Sequence, residues 1–254
     1  MWDSRPRLSA AQLIPMTPDE LQVDESSQSV PPADLRGNSA AALTEDLALA
    51  QLKDPDLSPD AIEDLSRNAA AMKSCKVQVA LASHPRTPRR IALRIIRELY
   101  TFELMRFALT PAAAADLKRV ADELLLSRVS SITLGERISL ARRSSTLVAG
   151  ALLLDKESRV WQPALENPRL TEAAVVKALQ RSAATPAFVE AVSHHSKWSV
   201  RHEIRLALLR NAHTPMAKAI EFAGRIPPRQ LQDILHTSRL PDRIKSCLRK
   251  ESGQ

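Results

Sequence analysis

The chain has 254 residues, of which 44% are hydrophobic and 26% charged, and its formal net charge is +7. It contains only five glycines, three tryptophans, one tyrosine and four phenylalanines, which argues against β-sandwiches, β-barrels and Rossmann-like sheets. Two cysteines are too few for an all-cysteine zinc site or iron–sulfur cluster. We therefore expect an all-α protein.

Residues 1–40 differ in composition from the rest of the chain. They hold six acidic residues, three basic residues and five prolines, without a sustained hydrophobic period. This predicts a poorly ordered acidic tail, and its charge of −3 leaves +10 on a body at residues 41–254. Residues 16–23 combine a Thr-Pro helix start with acidic residues, which is typical of either a short docked helix or a transient turn.

From residue 40 onward a helical hydrophobic period hardly stops. In one segment Ile91, Ile95 and Leu99 form an apolar stripe, with Arg90 and Arg94 away from it. Helices this short are marginal alone, so they must stack on one another. The pattern predicts helices at residues 40–53, 59–67, 70–83, 88–99, 101–109, 111–126, 134–144, 146–155, 158–166, 172–181, 186–195, 199–210, 215–223, 228–237 and 241–250.

A Ser or Thr followed by Pro recurs just before many of these helices. A hydroxyl there caps free backbone N–H groups, and a proline at the first helical position loses no hydrogen bond. Thr171 occupies the same position without a following proline. The recurrence predicts N-caps at Thr17, Ser58, Thr87, Thr110, Thr171, Thr185 and Thr214.

Several of these helix-start residues belong to a longer recurring sequence pattern, the phrase, which has a predicted helix on either side. Residues 77–93 read VQVALASHPRTPRRIAL, residues 159–175 read RVWQPALENPRLTEAAV, and residues 199–220 read SVRHEIRLALLRNAHTPMAKAI. The phrase resembles the leucine-rich-repeat-variant pattern, a helix entered by Val-Arg and followed by an Asn-Pro-x-Thr-Pro turn. The wider group is the HEAT-like α-helical repeats, and the resemblance covers residues 50–250 with gaps.

This resemblance implies a right-handed α-solenoid of degenerate repeats, a fold used mainly as a binding scaffold. It does not extend to the iron–sulfur cluster of one variant-repeat family, because that cysteine cluster is missing. The spacing of the caps is irregular, with 29 residues from Ser58 to Thr87 but 23 from Thr87 to Thr110. We expect residues 111–145 to form a long hairpin that interrupts the stack.

Polar residues of the phrase predict turn chemistry. His84 and His213 occupy positions where we expect turn hydrogen bonds, as at Asn167 and Asn211. A separate group is formed by His194, His195, His202 and Glu203, which predicts either a zinc site or a solvated turn between helices.

Trp161 and Trp198 lie near the starts of equivalent predicted helices. They predict either core anchors or a base-holding groove like that of the HEAT-like DNA glycosylases. No acidic residue accompanies them at a comparable position, which favours core anchors.

The arginines form the strongest functional pattern. In a solenoid the matching faces of successive units align, so arginines from several units would form one stripe that suits a phosphate backbone or an acidic peptide. Interspersed glutamates such as Glu98 and Glu136 favour a solvated outer face instead. The candidate partner-binding residues are Arg86, Arg89, Arg90, Arg94, Arg97, Arg137, Arg142, Arg143, Arg201 and Arg205.

The sequence therefore predicts a non-enzymatic α-solenoid scaffold that binds a protein partner. A nucleic-acid-binding solenoid is the alternative, and a base-excision enzyme is a distant third. We assign no catalytic residue, cofactor or metal. No signal-peptide pattern is present, and the longest apolar run, at residues 147–154, is too short to span a bilayer, so we expect a cytoplasmic protein without a membrane span.

Overall fold

The computed structural model describes residues 44–251, where it has fifteen α-helices, a short 3₁₀ helix at Ala71–Lys73 and no strand. The all-α prediction is confirmed, whereas the predicted tail at residues 1–40 and the cap at Thr17 lie outside the described residues. In chain order the helices are α1 (Glu45–Gln51), α2 (Pro59–Arg67), α3 (Cys75–Ser83), α4 (Arg89–Glu98), α5 (Thr101–Leu109), α6 (Ala115–Arg128), α7 (Leu134–Arg143), α8 (Thr146–Leu152), α9 (Ser158–Leu165), α10 (Glu172–Gln180), α11 (Pro186–His194), α12 (His202–Arg210), α13 (Met216–Ala223), α14 (Pro228–Thr237) and α15 (Asp242–Glu251).

Most helix bounds fall close to the prediction, and those of α2, α5 and α14 coincide with it. The single helix predicted at residues 70–83 is wrong. The chain breaks at Ser74, whose hydroxyl accepts a hydrogen bond from the N–H of Val77 and starts α3. Three other helices begin at least three residues later than predicted, α1 at Glu45, α6 at Ala115 and α12 at His202.

Most helices of the described part pack closely against the helix that is next but one in the chain, the exceptions being α2–α4, α5–α7 and α11–α13. The pairs in contact include α1–α3, α3–α5, α4–α6, α6–α8, α7–α9, α8–α10, α9–α11, α10–α12, α12–α14 and α13–α15. These contacts continue through α6, which comes from the stretch where we expected an interruption. One cluster of buried hydrophobic residues extends from Ala48 in α1 to Leu248 in α15. None of the helices described is long and apolar enough to cross a membrane.

Five polar residues that follow helices make the same pair of hydrogen bonds. Each accepts from the backbone N–H two residues later, which closes the turn. Each also donates from its side chain to an oxygen 26–32 residues earlier, near the C-terminal end of the next-but-one preceding helix. We call them the bridging turn residues: His84, Asn167, His195, Asn211 and Ser238.

The bridging turn residues donate to oxygens at or just beyond the C-terminal ends of helices. The last carbonyls of an α-helix have no intrahelical donor, and Asn167, Asn211 and Ser238 supply donors to such carbonyls. The other two bridges end just beyond a helix, that of His84 on a backbone carbonyl and that of His195 on a side-chain carboxylate. The donor–acceptor distances are short, namely 2.9 Å from His84 to Asp54, 2.8 Å from Asn167 to Ala141, 2.9 Å from His195 to the Glu166 carboxylate, 2.7 Å from Asn211 to Leu179 and 2.8 Å from Ser238 to Leu209.

The turn-chemistry prediction is confirmed for His84, Asn167 and Asn211 and is wrong for His213. His213 contributes only its backbone N–H, which donates to the side chain of Asn211, while its own side chain is exposed. The reason is register, because Asn211 and not His213 occupies the position equivalent to His84.

The N-cap prediction holds where the helix begins directly after the hydroxyl residue. Ser58, Thr171 and Thr185 each accept from the N–H three residues later. It is wrong at three other positions, where the hydroxyl points back and donates to a carbonyl of the preceding helix: Thr87 to Leu81, Thr110 to Arg106 and Thr214 to Leu208. In these turns the hydroxyl completes the end of one helix instead of starting the next.

Thr214 provides a test of this backward bond. Its side chain is 3% exposed, and its hydroxyl lies 2.5 Å from the Leu208 carbonyl. We expect Thr214→Val, which keeps the shape but removes the hydroxyl, to lower the free energy of unfolding by about 1–3 kcal/mol. Thr214→Ser should retain most of the stability. Urea unfolding measures both, and a valine variant as stable as the natural chain would contradict the assignment.

Asn167 provides a test of the bridges. It is 0% exposed, and it donates to the carbonyls of Ala141 and Ser144 while accepting from the Arg169 N–H. Asn167→Ala leaves three polar groups without partners, so we expect a loss of about 3 kcal/mol or more in the free energy of unfolding. Asn211→Ala, at a half-buried turn, should cost clearly less. Equal losses in the two variants would show that burial does not set the strength of the bridge.

Candidate functional site

Five of the ten candidate arginines are held in ion pairs with carboxylates. Four of these pairs are exposed and contribute little to stability, but they occupy the guanidinium groups. The fifth is more buried, with the Asp155 side chain only 5% exposed and 2.6 Å from Arg137. The pairs are Arg86–Asp56, Arg89–Asp116, Arg90–Glu63, Arg137–Asp155 and Arg201–Glu172.

Two further candidates donate to backbone carbonyls, Arg94 to Ser66 and Arg205 to Ser199. Seven of the ten guanidinium groups are thus used within the fold. Among the described residues, the candidates whose side chains have no ion pair or hydrogen bond are Arg97, Arg142 and Arg143.

The histidine group does not come together as a metal site. His195 is a bridging turn residue that faces Glu166, while His194 contacts the Glu190 carbonyl of its own helix. Within residues 44–251 no three His, Cys, Asp or Glu side chains lie close enough to hold a metal ion.

Both conspicuous tryptophans are buried, which confirms that they anchor the core. Trp161 packs edge-on against Phe188 with ring centroids 5.8 Å apart. Trp198 donates from its indole N–H to the Leu165 carbonyl at 2.9 Å, so it links the α11–α12 turn to α9. Trp161 also lines a pocket of about 860 Å³, together with Arg142 and Glu166.

An open depression of about 590 Å³ lies between α6, α8 and α10, and we call it the apolar groove. Small residues on the facing helices leave the space unfilled, and Leu147 at its edge is 44% exposed. A Cβ on Gly150 would lie 3.2 Å from the Cβ of Ala174, a tight contact that α8 and α10 would have to relieve by a small shift. The lining residues used below are Leu126, Leu147, Gly150, Ala151, Leu154, Ala174, Lys177 and Ala178.

A second depression of about 420 Å³ adjoins the first and shares Arg181 and Ser182 with it. We call it the arginine pocket, because Arg181, Arg210 and Arg239 all line it, together with His213. No acidic residue is among the described residues that line it. None of the three arginine side chains has an ion pair or hydrogen bond with the described part of the chain.

The bridging turn residues bring these arginines together. The bond from Asn211 to Leu179 places the end of α12 beside the end of α10, and therefore Arg210 beside Arg181. The bond from Ser238 to Leu209 does the same for the end of α14, where the Arg239 N–H also donates to the Arg210 carbonyl at 3.1 Å.

Sequence reasoning missed this triad although a signal was present. Arg181, Arg210 and Arg239 are each 29 residues apart, and the same spacing separates Thr185 from Thr214. The ten candidate arginines lie close together in sequence in three segments, whereas the members of the triad lie at the ends of three different helices or in the turns that follow them.

A buried carboxylate lies near the groove. Asp122 in α6 is 8% exposed, one helical turn before Leu126, and its Oδ1 has no hydrogen-bond partner. Burial raises the pKa of Asp122, and a hydrogen bond from Ser145 at the start of α8 opposes the shift.

No protein-family model, no curated protein and no solved structure matches this chain. Its function must therefore be inferred from the geometry of these surfaces.

The raised pKa of Asp122 predicts how stability depends on pH. The folded chain binds this proton more tightly than the unfolded chain, so the contribution to stability is present at low pH and is lost as pH rises through the folded pKa. Asparagine stays neutral throughout. The free energy of unfolding of Asp122→Asn, relative to that of the natural chain, should therefore rise between about pH 4 and about pH 7. Urea unfolding at both pH values measures it, and a constant difference would contradict the assignment.

Proposed function

We propose that this chain is a non-enzymatic α-helical-repeat scaffold that binds a protein partner through the apolar groove. The observation that carries the proposal is an open, apolar depression with an exposed Leu147 beside a basic pocket. Exposed apolar surface rimmed by charge is typical of sites where another protein packs. A cytoplasmic location fits the two free cysteines, Cys75 and Cys247, since thiols stay reduced there.

Two observations support an α-solenoid related to the HEAT-like and leucine-rich-repeat-variant patterns, without bearing on its handedness. Most helices pack against their next-but-one neighbours, as expected when helical hairpins stack. The bridging hydrogen bonds recur at separations of 26–32 residues, which corresponds to one repeat unit.

A protein partner is favoured over nucleic acid by the state of the arginines. Five of the ten candidate arginines are paired with carboxylates, so phosphate groups would have to displace existing partners. The apolar groove is lined mainly by aliphatic and small side chains, with Lys177 and Arg181 as the cations among its described lining residues. It therefore suits aliphatic or aromatic side chains better than a phosphate backbone.

The proposal is tested by filling the groove without disturbing the core. Ala151 is exposed on α8 and lines the groove, so Ala151→Trp places a bulky side chain in the depression. Ala187 is exposed on α11 and does not line it, so Ala187→Trp is the matched control. Thermal melts verify that both variants fold.

The immobilised full-length chain and both variants are incubated with a native lysate, and bound proteins are compared by quantitative mass spectrometry. We expect proteins that the natural chain and Ala187→Trp retain but Ala151→Trp loses by about tenfold. If all three capture the same proteins, or none, the groove is not a protein-binding site.

A further inference from the structure

The apolar groove and the arginine pocket form one continuous surface. They share Arg181 and Ser182, and Lys177 extends the positive charge along the rim of the groove. A partner segment that lies in the groove therefore continues into a pocket lined by Arg181, Arg210 and Arg239.

The charge on this surface is not compensated within the described residues. No Asp or Glu is among those lining either depression, and the three guanidinium groups are free of ion pairs. The backbone bond between Arg239 and Arg210 holds two of these residues side by side, which raises the local positive potential. Elsewhere in the same fold, exposed arginines such as Arg86 and Arg90 have carboxylate partners.

The two halves of the surface suit different parts of one ligand. Gly150, Ala151, Ala174 and Ala178 line the groove with small side chains, which leaves room for bulky apolar groups from outside. Guanidinium groups bind carboxylates with short, often bidentate hydrogen bonds. A segment that carries both kinds of group satisfies the whole surface at once.

We infer that the partner segment is amphipathic and acidic, with apolar side chains that fill the groove and carboxylates that pair with Arg181, Arg210 and Arg239. This inference rests on the proposed protein-binding function and specifies the chemistry of the partner. Nucleic acid would use only the arginine half of the surface.

A random linear peptide library displayed on phage is selected against the immobilised full-length chain. We expect recovered clones to combine Leu, Ile or Phe with Asp or Glu. A labelled peptide from these clones is then titrated by fluorescence anisotropy against the natural chain, Ala151→Trp, Arg210→Glu and Arg239→Glu. Arg229→Glu, an exposed arginine outside both depressions, is the matched charge control.

The expected result is an affinity loss of about tenfold or more in Ala151→Trp, Arg210→Glu and Arg239→Glu, with little change in Arg229→Glu. Affinity should also fall as salt is raised. Thermal melts confirm that each variant is folded, and the two arginine variants provide independent readings of the pocket.

Other results overturn the inference in distinguishable ways. Clones that need the groove but are neither acidic nor sensitive to Arg210→Glu would refute the acidic partner while the protein-binding function stands. The acidic partner is also refuted, and the protein-binding function stands, if no clone is recovered although lysate proteins bind the natural chain and not Ala151→Trp. If neither clones nor groove-dependent lysate proteins are found, both proposals fail.

The same binding assays distinguish two other possible ligands of this surface. A labelled DNA duplex that binds the natural chain but not Arg210→Glu, with no acidic clones recovered, would assign the pocket to nucleic acid. The acidic segment at residues 16–23 of this chain is the other competitor. Clones recovered only on a full-length Asp19→Asn/Glu20→Gln chain would identify that segment as the occupant and overturn a partner protein.

Discussion

The arrangement of the helices depends on hydrogen bonds between the end of one helix and a turn that follows the next-but-one helix. Helix C-terminal carbonyls lack intrahelical donors, and leaving them unpaired under a packed neighbour would be costly. The side chains of Asn167 and Asn211 supply those donors, and each also closes its own turn. One residue thus sets both the local chain direction and the neighbour against which its helix packs.

The candidate binding surface follows from these bonds. Asn211 and Ser238 lie directly beside Arg210 and Arg239, so the bonds that align α10, α12 and α14 also gather their terminal arginines. The apolar groove has a different origin, because it exists where α8 and α10 face each other with glycine and alanine. The basic half and the apolar half of the candidate binding surface therefore come from two unrelated features of the helix packing.

Local sequence signals predicted the helices well. The features that the sequence did not predict depend on contacts between residues far apart in the chain. Apolar stripes and caps such as Ser58 and Thr185 act within a few residues, so they are visible in the sequence. Thr214 has the sequence context of an N-cap because it precedes a proline, yet its hydroxyl donates to the Leu208 carbonyl of the preceding helix. The ion pair of Arg90 joins Glu63 27 residues away, and no local pattern predicts which arginines are paired and which are free.

The bridging position is filled by histidine, asparagine and serine in this chain. Each side chain closes its own turn and reaches an oxygen near the next-but-one preceding helix, which is a backbone carbonyl in four cases and the Glu166 carboxylate for His195. What the position requires is one acceptor near the backbone and one donor that reaches outward, and all three side chains offer both. Such a site requires hydrogen-bonding capacity and not one particular residue. Units of this kind can lose their sequence similarity to one another while they keep their geometry.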